Sequence, residues 1–380
     1  FRDELRTFFT TEIPAEIRDR ARNDELIWPD DIVTTMRILN KAGLAVPNWP
    51  VEWGGKDWSP LQRQLWADEM RLASVPEPLA FNASMVGPVI AQFGSQEIKE
   101  RFLPATANLD IWWCQGFSEP EAGSDLASLR TVAVRDGDDY VINGQKTWTT
   151  LGQFADWIFV LARTNPDAPK KQAGISFILV EMSTPGITLR PIKLIDGSYE
   201  VNEVFFEDVR VPANQLVGEE NQGWSYAKFL LSNERTGIAR IGTTKVWLSD
   251  VKERAAKTTV GNGTLLEDPL FASREAEIEN ELLALELTQL RVSGDEGTGK
   301  PNPASSILKL RGSQLQQAVT ELLVEVAGPD ALPFEAGDGI DSPQWAQQAA
   351  PRYLNFRKTS IYGGSNEVQR TIISSTILGL

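Results

Sequence analysis

Whatever chemistry this chain performs is done without imidazole. Its 380 residues include no histidine and a single cysteine, Cys114, which excludes a Ser-His-Asp triad and a His-ligated zinc site. Proton transfer falls to Asp, Glu, Lys or Tyr. One carboxylate stands out by its surroundings, in Leu230-Leu231-Ser232-Asn233-Glu234-Arg235-Thr236-Gly237-Ile238. On a helix, the neighbours of Glu234 three and four positions away are Leu230, Leu231, Gly237 and Ile238. A charge on an apolar face is costly, and burial there raises a carboxyl pKa toward the working pH, as a general base for a weakly acidic C–H requires. The same spacing fits a carboxylate in a buried ion pair with a neighbouring arginine, and the helix alone does not choose between the two.

A second constellation is a decoy. Gly294-Asp295-Glu296-Gly297-Thr298-Gly299-Lys300 has the spacing of a phosphate-binding Walker loop. Its flanks read as helices, Pro301 stands where Ser or Thr should bind magnesium, and two acids would face the phosphate. No G-x-G-x-x-G follows a strand, so a Rossmann site is unsupported.

The elements that must carry this chemistry read as helix, then sheet, then helix: an α+β chain. Residues 1–112 are helical in pattern, with Asp31 to Ala42 and Leu61 to Ala73 placing apolar residues three and four apart. Turns at Pro47-Asn48-Trp49-Pro50 and Trp53-Gly54-Gly55, and Pro76 and Pro78, punctuate them. Over 113–216 the period changes to two, and Thr131–Val134, Tyr140–Ile142, Trp157–Leu161, Ile175–Val180 and Val204–Phe206 read as strands. Asn143-Gly144 is the pair preferred by tight two-residue hairpins, because both positions need positive φ. Over 217–380, Trp224 to Lys257, Arg274 to Val292, Ser305 to Ala327 and Glu367 to Leu378 read as long helices.

The formal net charge of −15 repels nucleic acid and anionic lipid. No run of about 18 apolar residues is present to span a membrane. The expectation is a soluble chain with a trimmed N-terminus, no nucleic-acid or membrane partner, no metal site, and a reducing, cytoplasmic setting consistent with one thiol.

Four segments together carry a family resemblance. Ile361-Tyr362-Gly363-Gly364-Ser365, running into Asn366-Glu367-Val368-Gln369-Arg370, resembles the C-terminal signature of FAD-dependent acyl-CoA dehydrogenases. Phe117-Ser118-Glu119-Pro120-Glu121-Ala122-Gly123-Ser124-Asp125 resembles their flavin-contacting loop, and Lys146-Thr147-Trp148-Thr149-Thr150 the strand whose Trp packs on the flavin ring. Asn202 to Pro212 resembles the closing strand of their middle domain. The resemblance implies an N-terminal helical domain, a middle β-barrel or sandwich domain and a C-terminal four-helix bundle. Many members carry a proton-abstracting glutamate where this chain has Gly363. A subset, including isovaleryl-CoA and long-chain acyl-CoA dehydrogenases, pairs Gly there with a catalytic Glu in a Glu-Arg dipeptide on the earlier helix, and Glu234-Arg235 matches it.

That resemblance implies roles residue by residue. Trp148 would form the apolar wall for the flavin; Phe117, Ser118 and Thr150 would face its pyrimidine edge, a ring that needs one flat wall and edge donors. Without the neighbouring motifs, Trp148 would read as a core aromatic and Ser118-Glu119-Pro120 as an ordinary turn. Ser124 would lie near ring and substrate, with a helix cap as its structural alternative. Ser365 and Glu367 would contact the adenine portion, and Arg235 and Tyr362 the substrate. The Gly363 N–H would polarise the thioester carbonyl while Glu234 takes the α-proton. The products would be a trans-2-enoyl-CoA and electrons for an electron-transferring flavoprotein. A non-catalytic structural or binding subunit is the alternative.

Two departures concern the neighbouring subunit's FAD. Lys257-Thr258-Thr259-Val260-Gly261-Asn262-Gly263 lacks the arginine that reaches across in homotetrameric relatives, and Glu325-Val326-Ala327-Gly328-Pro329 has an acid where they carry Gln. The expectation is a two-plus-two heterotetramer with a related smaller subunit, as in pimeloyl-CoA and steroid side-chain acyl-CoA dehydrogenases, or otherwise a homo-oligomer. The acyl group, fatty, dicarboxyl, branched or steroid, cannot be read from the sequence, nor can which tryptophans line the pocket.

Overall fold

The computed structural model describes residues 1–22, 29–294, 302–332 and 341–380, with the side chains of 232–238 and 293–294 outside that description. Six helices come first: α1 (Arg2–Thr11), α2 (Ala15–Arg22), α3 (Pro29–Lys41), α4 (Pro60–Leu72), α5 (Gly87–Phe93) and α6 (Gln96–Ala107). The start of α4 is set locally by a capping box, in which the Ser59 hydroxyl accepts from the Gln62 N–H while Gln62 accepts from the Ser59 N–H, with Pro60 at the first helical position. Between α3 and α4 the chain returns Trp49 to the core, its indole N–H donating to the Ala83 carbonyl at 2.7 Å. That indole lies so close to α5 that a Cβ on Gly87 would come within 1.9 Å of its ring.

Seven strands follow: β1 (Trp113–Gly116), β2 (Val132–Asp136), β3 (Asp139–Thr150), β4 (Trp157–Arg163), β5 (Ile175–Glu181), β6 (Ile187–Ile192) and β7 (Val201–Pro212). They form one sheet in the order β1-β4-β2-β3-β7-β6, with β5 also paired to β4. In β4 and β5 nearly every residue is buried. The period-two reading fails there because these strands are covered on both faces, so the sequence shows continuous apolar runs. The tight β2–β3 turn is Gly137-Asp138, since Asp136 pairs with Asp139. Asn143-Gly144 instead lies inside β3 at a register shift between Ile142 and Gly144. Gly144 has φ +152° there, and a Cβ would lie 2.5 Å from the Thr131 hydroxyl. The positive-φ signal was real, but a bulge used it rather than a turn.

The C-terminal region contains α7 (Gly223–Ile238), α8 (Ile241–Ala255), a small hairpin of β8 (Thr259–Val260) and β9 (Gly263–Thr264), α9 (Pro269–Gly294), α10 (Ser305–Ala327), and the short α11 (Gln344–Gln347), α12 (Ala349–Asn355) and α13 (Asn366–Ile372). The single helix read over Trp224 to Lys257 is two, broken where Arg240 takes φ +46°. The long helices α7 to α10 form the bundle, and α10 touches α7, α8, α9, α12 and α13. Gly312 of α10 lets it approach α7, since a Cβ would sit 2.6 Å from the Ala239 carbonyl oxygen.

One core unites the N-terminal helices, one face of the sheet and Tyr226, Ala227 and Leu230 of α7; a second lies on the sheet's other face, and a third inside the C-terminal helices. Helix α7 is therefore the element that bridges sheet and bundle.

Candidate functional site

The 12 residues of β3 do not run straight. A second register shift falls between Lys146 and Thr149, and at its crest Trp148 takes φ +60°. A bulky side chain in the left-handed region stores strain of order 1–3 kcal/mol, which persists only where the surroundings impose it. Thr147 and Thr149 are buried, whereas Trp148 is 59% exposed. The bulge thus turns an indole off the sheet, and the reading of Trp148 as a core aromatic is wrong. Ser118 and Thr150 are half-buried, and neither side chain makes a hydrogen bond among the described residues.

The bulge begins at a buried ion pair. Lys146, fully buried, donates from Nζ to Glu119 Oε1 at 2.8 Å and to the Phe117 carbonyl at 3.1 Å. The Glu119 carboxylate also accepts the backbone N–H groups of Arg130 at 2.6 Å and Thr131 at 2.9 Å. Burial opposes ionisation of Glu119, but Lys146 and these donors outweigh it and hold the carboxyl below its ordinary range. Burial pulls Lys146 down to about 8, with Glu119 only partly offsetting it. A further bond, Thr147 N–H to the Ser118 carbonyl at 2.9 Å, ties the 117–119 loop alongside Trp148. The Phe117 ring packs edge-on against Phe159 and Phe177 at 5.7 and 6.2 Å. Its side chain is core, so only its backbone can face a ligand.

The signature segment follows α12. Gly363 and Gly364 have φ +64° and +85°, a left-handed pair that side chains resist. Ser365 caps α13, its hydroxyl accepting from the Val368 N–H at 3.4 Å, so that oxygen is engaged within the chain. Glu367 is exposed in the first turn of α13, and its own helix-end N–H and Ser365 hold its carboxyl below the ordinary range. Tyr362 is half-buried, with its N–H bonded to the Lys358 carbonyl at 3.1 Å.

This segment is clasped to the sheet. The Asn355 amide donates to Asp196 Oδ2 at 2.6 Å and Glu200 Oε2 at 3.1 Å, and Lys358 Nζ to Glu200 Oε2 at 2.6 Å. Glu200 in turn accepts at its carbonyl from the Leu151 N–H at 2.8 Å, one residue beyond Thr150.

Glu234 and Arg235 lie on α7, and their side chains fall outside the described residues. The backbone sets their helix between the sheet, α5 and α10, with Leu230 one turn earlier fully buried. Ser124 is exposed and caps nothing; Asp125 precedes the turn 126–128 and receives the Ser128 hydroxyl. The Walker-like loop falls outside the description apart from the backbone of Gly294. Burial pushes the Cys114 thiol up, so it is no nucleophile. Glu325 pairs within its own chain, with Arg274 Nη1 at 2.5 Å, and 259–264 is the β8–β9 hairpin. Sequence reasoning missed the Glu119–Lys146 pair, whose only trace was a lysine at an inward position of an apolar strand. It also missed the clasp, which has no local signal.

Three family models match in sequence order: the N-terminal, middle and C-terminal domains of acyl-CoA dehydrogenase, over residues 1–110, 114–209 and 221–378. The chain is 38% identical over 347 residues to acyl-CoA dehydrogenase IpdE1 of Mycobacterium tuberculosis, covering 90% of this chain and 86% of that protein. It is 34% identical to acyl-CoA dehydrogenase FadE26 of the same organism, covering 100% and 96%. Among solved structures it resembles a chain of the ChsE4-ChsE5 complex of M. tuberculosis, with a TM-score of 0.84, 34% identity and coverage of 100% and 96%. It likewise resembles a chain of the steroid acyl-CoA dehydrogenase Tcur3481-Tcur3483, with a TM-score of 0.86, 31% identity and coverage of 100% and 96%.

Proposed function

Since this chain belongs to the acyl-CoA dehydrogenase family, whose members are FAD-dependent oxidoreductases, we propose that it removes the α- and β-hydrogens of an acyl-CoA thioester with Glu234 as base. The observation that carries the reading is Trp148, held out from the sheet at positive φ beside the hydroxyls of Ser118 and Thr150, which have no partner among the described residues. An exposed indole in a strained conformation is costly for an apo chain and useful to one that binds a flat ring. These residues fit the flavin of FAD, which supplies the acceptor for two electrons when bound.

The chain's own residues then divide the work. The Gly363 N–H polarises the thioester carbonyl, which acidifies the α-carbon. Glu234 takes the α-proton as the β-hydrogen leaves with its electron pair, giving the trans-2-enoyl-CoA. The sequence neighbours Leu230, Leu231 and Ile238 put Glu234 on an apolar helix face, the setting a general base for a weakly acidic C–H requires. Tyr362, Arg235 and Ser124 bound the substrate, and Ser365 and Glu367 face the adenine end of the cofactor. Closing the pocket with apolar side chains excludes water. Electrons pass to an electron-transferring flavoprotein.

The subunit works beside a related smaller one in a two-plus-two heterotetramer, in the cytoplasm. Residues 257–263 offer no arginine to a neighbour, and Glu325 is occupied by Arg274 of its own chain. The ChsE4-ChsE5 and Tcur3481-Tcur3483 structures are named as pairs of different chains. The domains divide at 1–112, 113–216 and 217–380. Anaerobic bleaching of bound FAD by a panel of acyl-CoAs, from short fatty to dicarboxyl to steroid, tests the reading: Glu234→Gln should abolish it. Unchanged bleaching in that variant would end the base assignment, and no bleaching of wild type by any thioester would leave a non-catalytic subunit.

A further inference from the structure

The signature turn rests on a buried amide. Gln369 of α13 is fully buried and donates from Nε2 to the Gly363 carbonyl at 3.4 Å and the Gly364 carbonyl at 3.1 Å. A Cβ on Gly364 would lie 2.6 Å from that same nitrogen, so the amide fits only against bare backbone. In a trans peptide the C=O and N–H point in opposite directions. Drawing the carbonyls of Gly363 and Gly364 inward therefore turns the N–H groups of Gly364 and Ser365 outward, and fixing the Gly363 peptide at φ +64° fixes where its own N–H points. Among the described residues, the N–H groups of Gly363, Gly364 and Ser365 donate to no acceptor. Beside this, Lys309 Nζ and Ser313 Oγ both donate to Asn366 Oδ1 at 3.1 Å, pinning the next residue as well.

We propose that Gln369 is a positioning residue: its amide holds the Gly363–Ser365 turn in the shape that presents backbone N–H groups to the thioester oxygen. The proposal rests on the reading above, in which the Gly363 N–H polarises that oxygen. Two adjacent glycines left to themselves sample many conformations, and a donor stabilises developing charge efficiently only when it is already in place. A chain that carries glycine at both positions gains this freedom with its turn, and Gln369 removes it again from the inner side.

The test uses the FAD-loaded enzyme with its partner subunit and a trans-2-enoyl-CoA labelled with ¹³C at the thioester carbonyl, which binds without turnover. In wild type the carbonyl stretch should fall relative to free ligand. In Gln369→Leu the shift should shrink and the rate of flavin bleaching fall about tenfold or more, with ligand affinity changed less than about threefold. Gly364→Ala pushes on the same amide from outside without emptying the core, and should reproduce both effects if Gln369→Leu does not fold. Absence of a shift in wild type would remove the donor reading itself. A normal shift in wild type, retained in full with an unchanged rate in Gln369→Leu, or in Gly364→Ala where that variant stands in for it, would overturn the role of Gln369 and leave the reading intact.

Discussion

Glu119→Gln preserves the shape of the buried pair while removing its charge. The carboxylate now satisfies three donors, Lys146 Nζ and the backbone N–H groups of Arg130 and Thr131; an amide has one acceptor oxygen and brings two donors of its own. That oxygen can still accept from Lys146, which also keeps the Phe117 carbonyl, but Lys146 loses its counter-charge. Stranding a buried charge costs about 3–5 kcal/mol when the charge has no escape. Here it has one, because Lys146 already titrates at about 8 and shedding its proton at pH 7 costs only about 1.4 kcal/mol per pKa unit. A loss of about 2–3 kcal/mol at pH 7 is expected. Without Glu119 the folded-state pKa of Lys146 falls further below its unfolded value, so the folded state binds fewer protons than the unfolded one and stability rises with pH across that interval. Thermal unfolding of the variant and wild type from pH 7 to pH 9 should show a deficit that narrows as pH rises, together with weaker FAD retention. A deficit that is absent, or that does not change with pH, would refute the reading of Lys146 as a buried cation held by Glu119.

Trp148→Gly relieves the positive-φ strain, so the apo protein should unfold no earlier than wild type, while FAD affinity measured by fluorescence quenching should fall about tenfold or more. Lys309 is fully buried with Asn366 as partner and is pulled to about 8 by burial, Glu367 raising it only in part. Its folded pKa lies below its unfolded one, so it penalises stability below about 8 and the penalty lifts as pH rises toward 10.5. Lys309→Met should therefore flatten the rise in melting temperature over that range; an unchanged pH slope would count against it.

Much of the fold was written in local patterns. Ser305 to Ala327 was read end to end because its apolar spacing and the Gly328 that follows are both local signals. Helix α4 was read over Leu61 to Ala73 from the same apolar spacing, while the Ser59–Gln62 capping box that sets its start went unused. Strand β6 was missed because it alternates weakly, carries Pro191 and lies at the sheet edge. The break at Arg240 was missed although Gly237 and Gly242 flank it, because the left-handed residue itself is an arginine; α10 packs closely there, with Gln316 donating to the Ala239 carbonyl. Trp148 and Gly363 were singled out through resemblance, while the groups that hold them were not. Glu119 meets Lys146, and Asp196 and Glu200 meet Asn355 and Lys358, across separations of 27 to 159 residues. Such encounters depend on tertiary packing and leave no periodicity to read.

The clasp between the 193–200 loop and the approach to the signature has a wider consequence. Trp148 to Leu151 belong to the sheet and the turn after it, while Tyr362 to Ser365 come from the far end of the chain. Beside the core that α7 shares with the sheet, a handful of half-buried polar groups link these parts, with Glu200 reaching Leu151 through its carbonyl and Lys358 through its carboxylate. Neither the sheet nor the helical bundle alone supplies this link. It forms only once both have folded and met, so after a proteolytic cut between residues 217 and 350 the clasp would remain as a non-covalent tie beside the core packing of α7.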